Sequence, residues 1–358
     1  MNLKELAASL GLSPTTVSRA LNGYPEVSAA TAARVVAAAR EHGYVPNSVA
    51  KRLATGRAMA IGHVVPQSEH DMINPIFADF IAGAGESYSQ AGYNMLISVV
   101  PAEEEAASYT ALATARSVDG VIVHGPAAQD PRIEWLEDLG LPFIVHGRTA
   151  GRQPHSWMDI NNRRAFHKAT DLLIDLGHRR IALLNGLERM DFAHRRRIGY
   201  EDALGAAGIT IDPGLMFSAD MTEPYGFQTA MQLLKSPEPP SAFLASSLIT
   251  ALGISRAISA CGLKLGQDVS VVTHDDALWF LPNQGEVPMF TSTKSSVRAA
   301  GKRIAQMLID QIEGRAEPGV SELWEVEMIQ GQSTGPGPFS QNKEHGLEQP
   351  HLRAQRFS

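Results

Sequence analysis

The sequence predicts an α/β protein: a helix-turn-helix head of three helices, followed by two Rossmann-like lobes. Three observations predict it. Residues 3–21 read as two short helices around a glycine. From Met59, short β-rich runs alternate with helices of a dozen or so residues, the rhythm of parallel sheets with helical crossovers. That rhythm restarts after Asn162, which makes two such units.

The head comes first. In residues 3–10, Leu3, Leu6, Ala7 and Leu10 share one side of a helix, and Gly11 allows the turn. Ser13 can cap the next helix, and Pro14 fits its first position, where no N–H bond is needed. Val17, Ala20 and Leu21 form one narrow apolar face. Pro14, Thr15, Thr16, Ser18, Arg19 and Asn22 stay off it. A polar, uncluttered face with one arginine fits a DNA major groove, because Arg can bond bidentately to guanine O6 and N7. An ordinary helical hairpin on a domain surface would carry the same periodicity. Ser28 caps a third helix, Ala29 to His42, with Gly43 as its stop. Val35, Ala38 and Ala39 would face the first two helices. Pro46 ends regular structure, and Asn47 could cap Ser48 to Thr55, a segment too short to stay helical alone in water.

The first unit then reads as strand Ala60–Val65, helix Ile76–Ala91, strand Asn94–Val99, helix Glu103–Arg116, strand Gly120–Val123, helix Arg132–Leu139 and strand Phe143–Val145. The second reads as helix Arg163–Leu176, strand Ile181–Leu184, helix Ala193–Ala207, strand Leu215–Ser218, helix Tyr225–Leu234, strand Ala242–Ala245, helix Thr250–Cys261 and strand Val269–Thr273. Helix Ser295–Ile312 and one closing strand near Leu323–Ile329 follow. Two α/β series predict a ligand cleft at the strand C-termini.

The 358 residues carry a formal net charge of −7. Residues 1–60 hold seven Lys/Arg and three acids, a net of about +4, so the rest is acidic. A basic head on an acidic body concentrates phosphate affinity at one end. Cys261 is the only cysteine, which excludes an intrachain disulfide and argues against a cysteine-based zinc site. No metal or other cofactor is expected. No apolar run reaches membrane-spanning length and no signal-peptide core opens the chain. The expectation is a cytoplasmic protein with no membrane partner.

Leu3 to Gly56 closely resembles the DNA-binding head of the LacI/GalR (lactose-repressor) family. The matching residues are Leu-Lys-Glu-Leu-Ala (3–7), Thr-Val-Ser-Arg-Ala-Leu-Asn-Gly (16–23), Val-Ser (27–28), Gly-Tyr-Val-Pro-Asn (43–47) and Ala-Lys-Arg-Leu (50–53). The resemblance continues to about Thr334. It implies two lobes of the periplasmic-binding-protein type I architecture. It also implies a head over 1–46, a hinge helix or linker over 47–58 and a core over 59–334. The N-lobe would be about 59–160 plus 292–320, and the C-lobe about 162–290 plus 322–334. The chain would cross between lobes near Asp159–Asn162, near Thr291–Thr293 and in the last strand. Residues 335–358, polar and rich in Gly and Pro, read as a disordered tail. They lack the leucine heptads that make the family's namesake a tetramer, so a homodimer is expected.

By the same resemblance, the dimer would bind a near-palindromic operator. Pro14, Thr15 and Arg19 would meet base edges. Thr16, Ser18, Asn22, Ser28, Thr31 and Asn47 would position phosphates. Leu53, flanked by Ala50 and Ala54, would wedge into the central minor groove. The effector site would draw on Asn74, Phe77, His146, Arg148, Asp159, Asp191, Arg196 and Asp275. These types suit a small sugar, since carboxylates and guanidinium groups pair with vicinal hydroxyls and a flat ring covers the C–H face. Phe77, Phe192, Trp157 and Trp279 are candidate platforms, although tryptophans such as Trp157 and Trp279 are more often core than platform. His178-Arg179-Arg180 reads as a turn into a strand with no role.

Two departures alter the cleft: Ser246-Ser247 and Asn161 stand where the family often has an acid. Segments 145–148, 190–193, 273–276 and 290–296 look most like regulators of α-glucoside utilisation. Two other classes compete. A sugar-binding transport receptor would share the core but need a signal peptide. An enzyme would need His274-Asp275-Asp276 as a metal or catalytic cluster, yet no partner cluster with ligand spacing appears. The reading is therefore a sugar-controlled transcriptional repressor of carbohydrate utilisation genes, not an enzyme.

Overall fold

The computed structural model describes residues 1–21, 24–44, 56–67, 75–149 and 154–340. Asn22, Asn47, Ala50, Leu53, Ala54 and Asn74, with the proposed hinge helix and positions 341–358, lie outside the described residues. The chain divides into two compact units, Met1–Met59 and Ala60 onward.

The head holds α1 (Leu3–Leu10), α2 (Pro14–Leu21) and α3 (Ala29–Glu41). Each start is fixed by a side-chain cap. Asn2 and Glu5 form a reciprocal capping box on α1. Ser13 Oγ accepts from the Thr16 N–H at 3.0 Å, and Ser28 Oγ from the Thr31 N–H at 3.3 Å. Gly11 ends α1 at φ 65°, the left-handed region a side chain would disfavour. Leu6, Ala7, Val17, Ala20, Val35 and Ala39 form the core. Arg34 of α3 donates to the carbonyl of Leu10 at 2.6 Å and ties the third helix to the turn between the other two.

The second unit has two six-stranded sheets. The first runs β11-β5-β4-β3-β1-β2, with β1 (Ala60–Pro66), β2 (Asn94–Val100), β3 (Gly120–His124), β4 (Phe143–His146), β5 (Ser156–Ile160) and β11 (Ser321–Trp324). The second runs β12-β10-β9-β8-β6-β7, with β6 (Ile181–Asn185), β7 (Met216–Ser218), β8 (Ala242–Ala245), β9 (Ser270–Asp275), β10 (Thr291–Lys294) and β12 (Glu327–Ile329). All pairs are parallel except β10 with β12. Apolar runs such as Ile181–Leu184 are buried on both faces, as a covered parallel sheet requires.

The helices pack in pairs on these sheets: α4 (Pro75–Ala91) with α11 (Val297–Ile312), α7 (Asn162–Asp175) with α8 (Asp191–Ala206), and α9 (Glu223–Leu234) with α10 (Leu248–Ala260). In addition, α5 (Glu105–Thr114) packs on β1 and β2 of the first sheet, and α6 (Pro131–Leu139) packs against α5.

The chain changes lobes three times: from β5 into α7, from β10 into α11, and from β11 into β12. The last crossing corrects the expectation of one closing strand near 323–329. There are two strands, and Ser321–Trp324 pairs with β5 in the first sheet rather than belonging to the C-lobe. β5 itself carries no continuous apolar run, because Ser156 and Asp159 interrupt it, and its pairing becomes visible only in the sheet. The segment read as tail from 335 is also corrected at its start. Gly337 N–H donates to the Leu176 carbonyl at 2.6 Å and Phe339 N–H to that of Gly177 at 3.1 Å. His178, read as a turn residue, is buried and bonds Ser241, Ser270 and the Gly335 carbonyl at 2.9, 2.9 and 3.1 Å. It anchors this strap.

Candidate functional site

On the head, burying Val17 and Ala20 leaves Pro14, Thr15 and Arg19 exposed. Thr15 and Arg19 are one helical turn apart and so share a face. The guanidinium of Arg19 makes no bond among the described residues. The hydroxyls of Thr16 and Thr31 pair with their caps, Ser13 and Ser28, at 2.8 and 2.9 Å.

Between the lobes, a chain of polar side chains follows the crossovers. Arg148 Nε donates to Asp159 Oδ2 at 2.8 Å. Asn162 Nδ2 donates to Asp159 Oδ1 at 3.1 Å. Arg196 Nε donates to Asn162 Oδ1 at 2.8 Å, and its NH1 to the Ser246 carbonyl at 2.6 Å. The Arg196 guanidinium lies 4.9 Å from the Phe166 ring centre and 5.0 Å from that of Phe192. Burial lowers its pKa to about 10 against the charges of Asp276 and Asp159. Burial likewise raises the Asp159 carboxyl, opposed by Arg148. Asp159 on β5 and Asn162 at the start of α7 flank the first crossover, so this chain joins one lobe to the other.

Asp275 and Asp276 divide differently from the sequence reading. Asp275 accepts from the Ala277 N–H at 2.8 Å. Asp276 feels Arg196, and burial raises its carboxyl to about 7. His274 bonds Thr293 and Ser295 at 2.9 and 3.1 Å and lies 3.5 Å from Asp276. Asp275 is the last residue of β9 and Asp276 lies just past it, and the two side chains meet different surroundings. Asp191, at the start of α8, is paired by Arg195, and its N–H reaches the Pro126 carbonyl at 2.8 Å. Ala127 and Met190 form an antiparallel bridge beside it. The loops after β3 and β6 therefore meet across the mouth of the cleft. Trp157 lies under Arg148, whose guanidinium carbon is 5.6 Å from the ring centre. Trp279 is 73% exposed, so it is not a core residue, and its ring meets that of Phe280.

A histidine cluster forms the floor of the first lobe, and of it sequence reading named only His146. His63, His124 and His146 come from β1, β3 and β4, with His124 and His146 directly paired at their strand ends. His63 Nδ1 lies 2.9 Å from His124 Nε2, and His63 Nε2 lies 3.0 Å from the Tyr88 hydroxyl. Phe80 stacks on His146 at 4.5 Å, while Phe77 and Phe80 meet His124 edge-on at 5.2 and 4.8 Å. Arg132 donates to the His124 carbonyl at 3.0 Å and fixes the strand end. Nothing in sequence spacing gathers these rings; register does.

Burial lowers the pKa of His63 to about 3 and of His146 to about 4, and it lowers His124 and His274 as well. An unfolded histidine titrates near 6.5. Below that pH the unfolded chain binds more protons, so this stability is present above pH 6.5 and is lost as pH falls toward 4. Each net proton is worth about 1.4 kcal/mol per pH unit. The raised carboxyls of Asp159, Asp275 and Asp276 act the other way. Four imidazoles outweigh them, and the melting temperature is expected to fall between pH 6.5 and 5. A flat or rising melting temperature in calorimetry would contradict the neutral cluster.

Comparison with known proteins agrees with this architecture. The family model "Bacterial regulatory proteins, lacI family" matches residues 2–47. The model "Periplasmic binding proteins and sugar binding domain of LacI family" matches residues 58–329. The chain is 46% identical over 340 residues to the HTH-type transcriptional regulator AglR of Rhizobium meliloti (strain 1021), covering 94% of this chain and 95% of that one. Among solved structures, a transcriptional regulator CelR–cellobiose complex matches at 30% identity and TM-score 0.68, covering 93% of this chain and 99% of that one. The lac repressor dimer bound to operator and the anti-inducer ONPF matches at 26% identity and TM-score 0.74, covering 94% and 99%. A basic helix-turn-helix head and a two-lobed core with a polar cleft define a ligand-controlled transcriptional regulator, and the chain belongs to the LacI family. No helix among the described residues is long and apolar enough to cross a membrane.

Proposed function

We propose that this protein is a repressor of carbohydrate utilisation genes that binds a near-palindromic operator as a homodimer. A small sugar of the α-glucoside class controls it, and it catalyses no reaction. The observation that carries the reading is the polar chain Arg148–Asp159–Asn162–Arg196, which is built across a crossover between lobes. A ligand that bonds to it has different contacts when the lobes turn, and that difference is what shifts an equilibrium between two states. The paired carboxylate and guanidinium groups, with Phe192 against Arg196, suit vicinal hydroxyls and a ring face. The relative solved with cellobiose supports a sugar ligand, and the four segments named above support an α-glucoside.

The test is operator binding by fluorescence anisotropy, using DNA from around the gene, with and without maltose, sucrose, trehalose and cellobiose. One α-glucoside is expected to change operator affinity. Tight specific binding with no effect of any sugar would remove the sugar from the proposal. In the same assay Arg19→Ala is expected to weaken operator binding by about 1–3 kcal/mol and to relax one base position. Unchanged affinity would take Arg19 off the base edge.

A further inference from the structure

The Tyr88–His63–His124 contacts run from the interior of the first lobe to the end of β3. Tyr88 and His63 are sealed, at 1% and 0% exposure. The Tyr88 hydroxyl has one hydrogen-bond partner among the described residues, His63 Nε2. Two proton arrangements satisfy the two distances. In one, Tyr88 O–H donates to His63 Nε2, His63 Nδ1–H donates to His124 Nε2, and His124 carries its proton on Nδ1. In the other every donor is reversed, and the hydroxyl hydrogen of Tyr88 has no acceptor. A buried donor without an acceptor is strongly disfavoured, so the first arrangement prevails. His124 Nδ1 has no protein partner among the described residues, and His124 is the half-buried end of β3, where Tyr88 and His63 are sealed. It sits beside Phe77, at the rim end of α4, and just before the Pro126 carbonyl that meets Asp191 across the cleft.

We infer that Tyr88 and His63 are positioning residues that hold His124 in its Nδ1–H form, making it a fixed hydrogen-bond donor to an oxygen of the bound sugar. The ligand contact rests on the sugar reading above, whereas the relay stands on the geometry alone. A neutral donor here favours uncharged hydroxyl or ring oxygens. It offers an anionic sugar no full charge, unlike Arg148 and Arg196 on the facing chain.

The experiment has two arms on the full chain. Nitrogen-15 NMR of the histidine side chains reads the tautomer of His124 without ligand. The expected spectrum shows Nδ1–H in the wild type and a mixture of tautomers in Tyr88→Phe, which keeps the ring volume. An Nε2–H or mixed His124 in the wild type overturns the relay. Calorimetric titration with maltose, sucrose and trehalose then reads affinity in a double-mutant cycle. Tyr88→Phe is expected to raise Kd by about tenfold in the wild type, the loss of one hydrogen bond. It is expected to have no effect beside His124→Asn, whose amide supplies a donor with no relay behind it. An equal loss in both backgrounds would mean that Tyr88 acts only on packing, and would overturn its positioning role. If the wild type binds none of the three sugars, the sugar contact fails together with the reading it rests on, while the spectrum still decides the relay.

Discussion

Replacing Arg196 with alanine is expected to abolish the effect of the sugar on operator binding while leaving operator binding itself intact. Arg196 is 4% exposed and is held by Asn162, the Ser246 carbonyl and two aromatic faces. Its loss removes the charge that faces Asp159 and Asp276 and leaves two buried acceptors unmatched. Breaking a buried charged cluster costs about 3–5 kcal/mol, so the core should melt earlier. Affinity for the sugar should fall at least about a hundredfold, since a bidentate donor and its alignment are both lost. Arg196→Lys is not expected to recover it, because an ammonium cannot reproduce the planar fork that reaches Asn162 and Ser246 together. The head packs its own core from Leu6, Val17 and Val35 and should still bind operator. Anisotropy with and without sugar, beside a thermal melt, checks both halves. A normal sugar response from Arg196→Ala would remove it from the site.

Gly301→Ala is expected to destabilise the core by about 3 kcal/mol, at the upper end of overpacking costs. A Cβ on Gly301 of α11 would stand 2.1 Å from the Phe80 carbonyl oxygen of α4. The arrangement is reciprocal, since a Cβ on Gly83 of α4 would stand 2.0 Å from the Arg298 carbonyl oxygen of α11. Backbone cannot swing aside as a long side chain does, so the two helices must part along their whole contact. Alanine's helix propensity returns about 1 kcal/mol, too little to offset that. The pair α9·α10 repeats the design, with Gly226 against Thr250 and Gly253 against Glu223. Gly205→Ala on α8 is the control, because nothing lies within 4 Å of its Cβ. That variant should gain roughly 0.5–1 kcal/mol. Urea midpoints measure both, and equal signs for Gly301→Ala and Gly205→Ala would refute the close-approach argument.

The head was legible in full outline because its signals are local. Ser13, Ser28 and Gly11 act on backbone within four residues, and the apolar face of α2 is a matter of helical spacing. The α/β alternation was legible for the same reason, as was the family, through residues at fixed spacing such as Thr16–Gly23. The cleft was legible only in part. Arg196, Asp159 and Arg148 do meet in one chain of bonds, joined by Asn162, which no sequence signal had marked.

What the sequence by itself determined was the order and type of most elements and the chemistry of the two ends of the molecule. What only the tertiary structure decided was convergence. Strand register gathered His63, His124 and His146, residues 83 positions apart at the extremes. The exit of the chain from β9 put Asp275, its last residue, on a backbone amide and left Asp276 with Arg196. Sheet pairing split one apparent closing strand between two lobes, and burial made an anchor of His178. Periodicity reports which face of an element is apolar; which elements bring their ends together depends on contacts far apart in the chain, and no local pattern carries that.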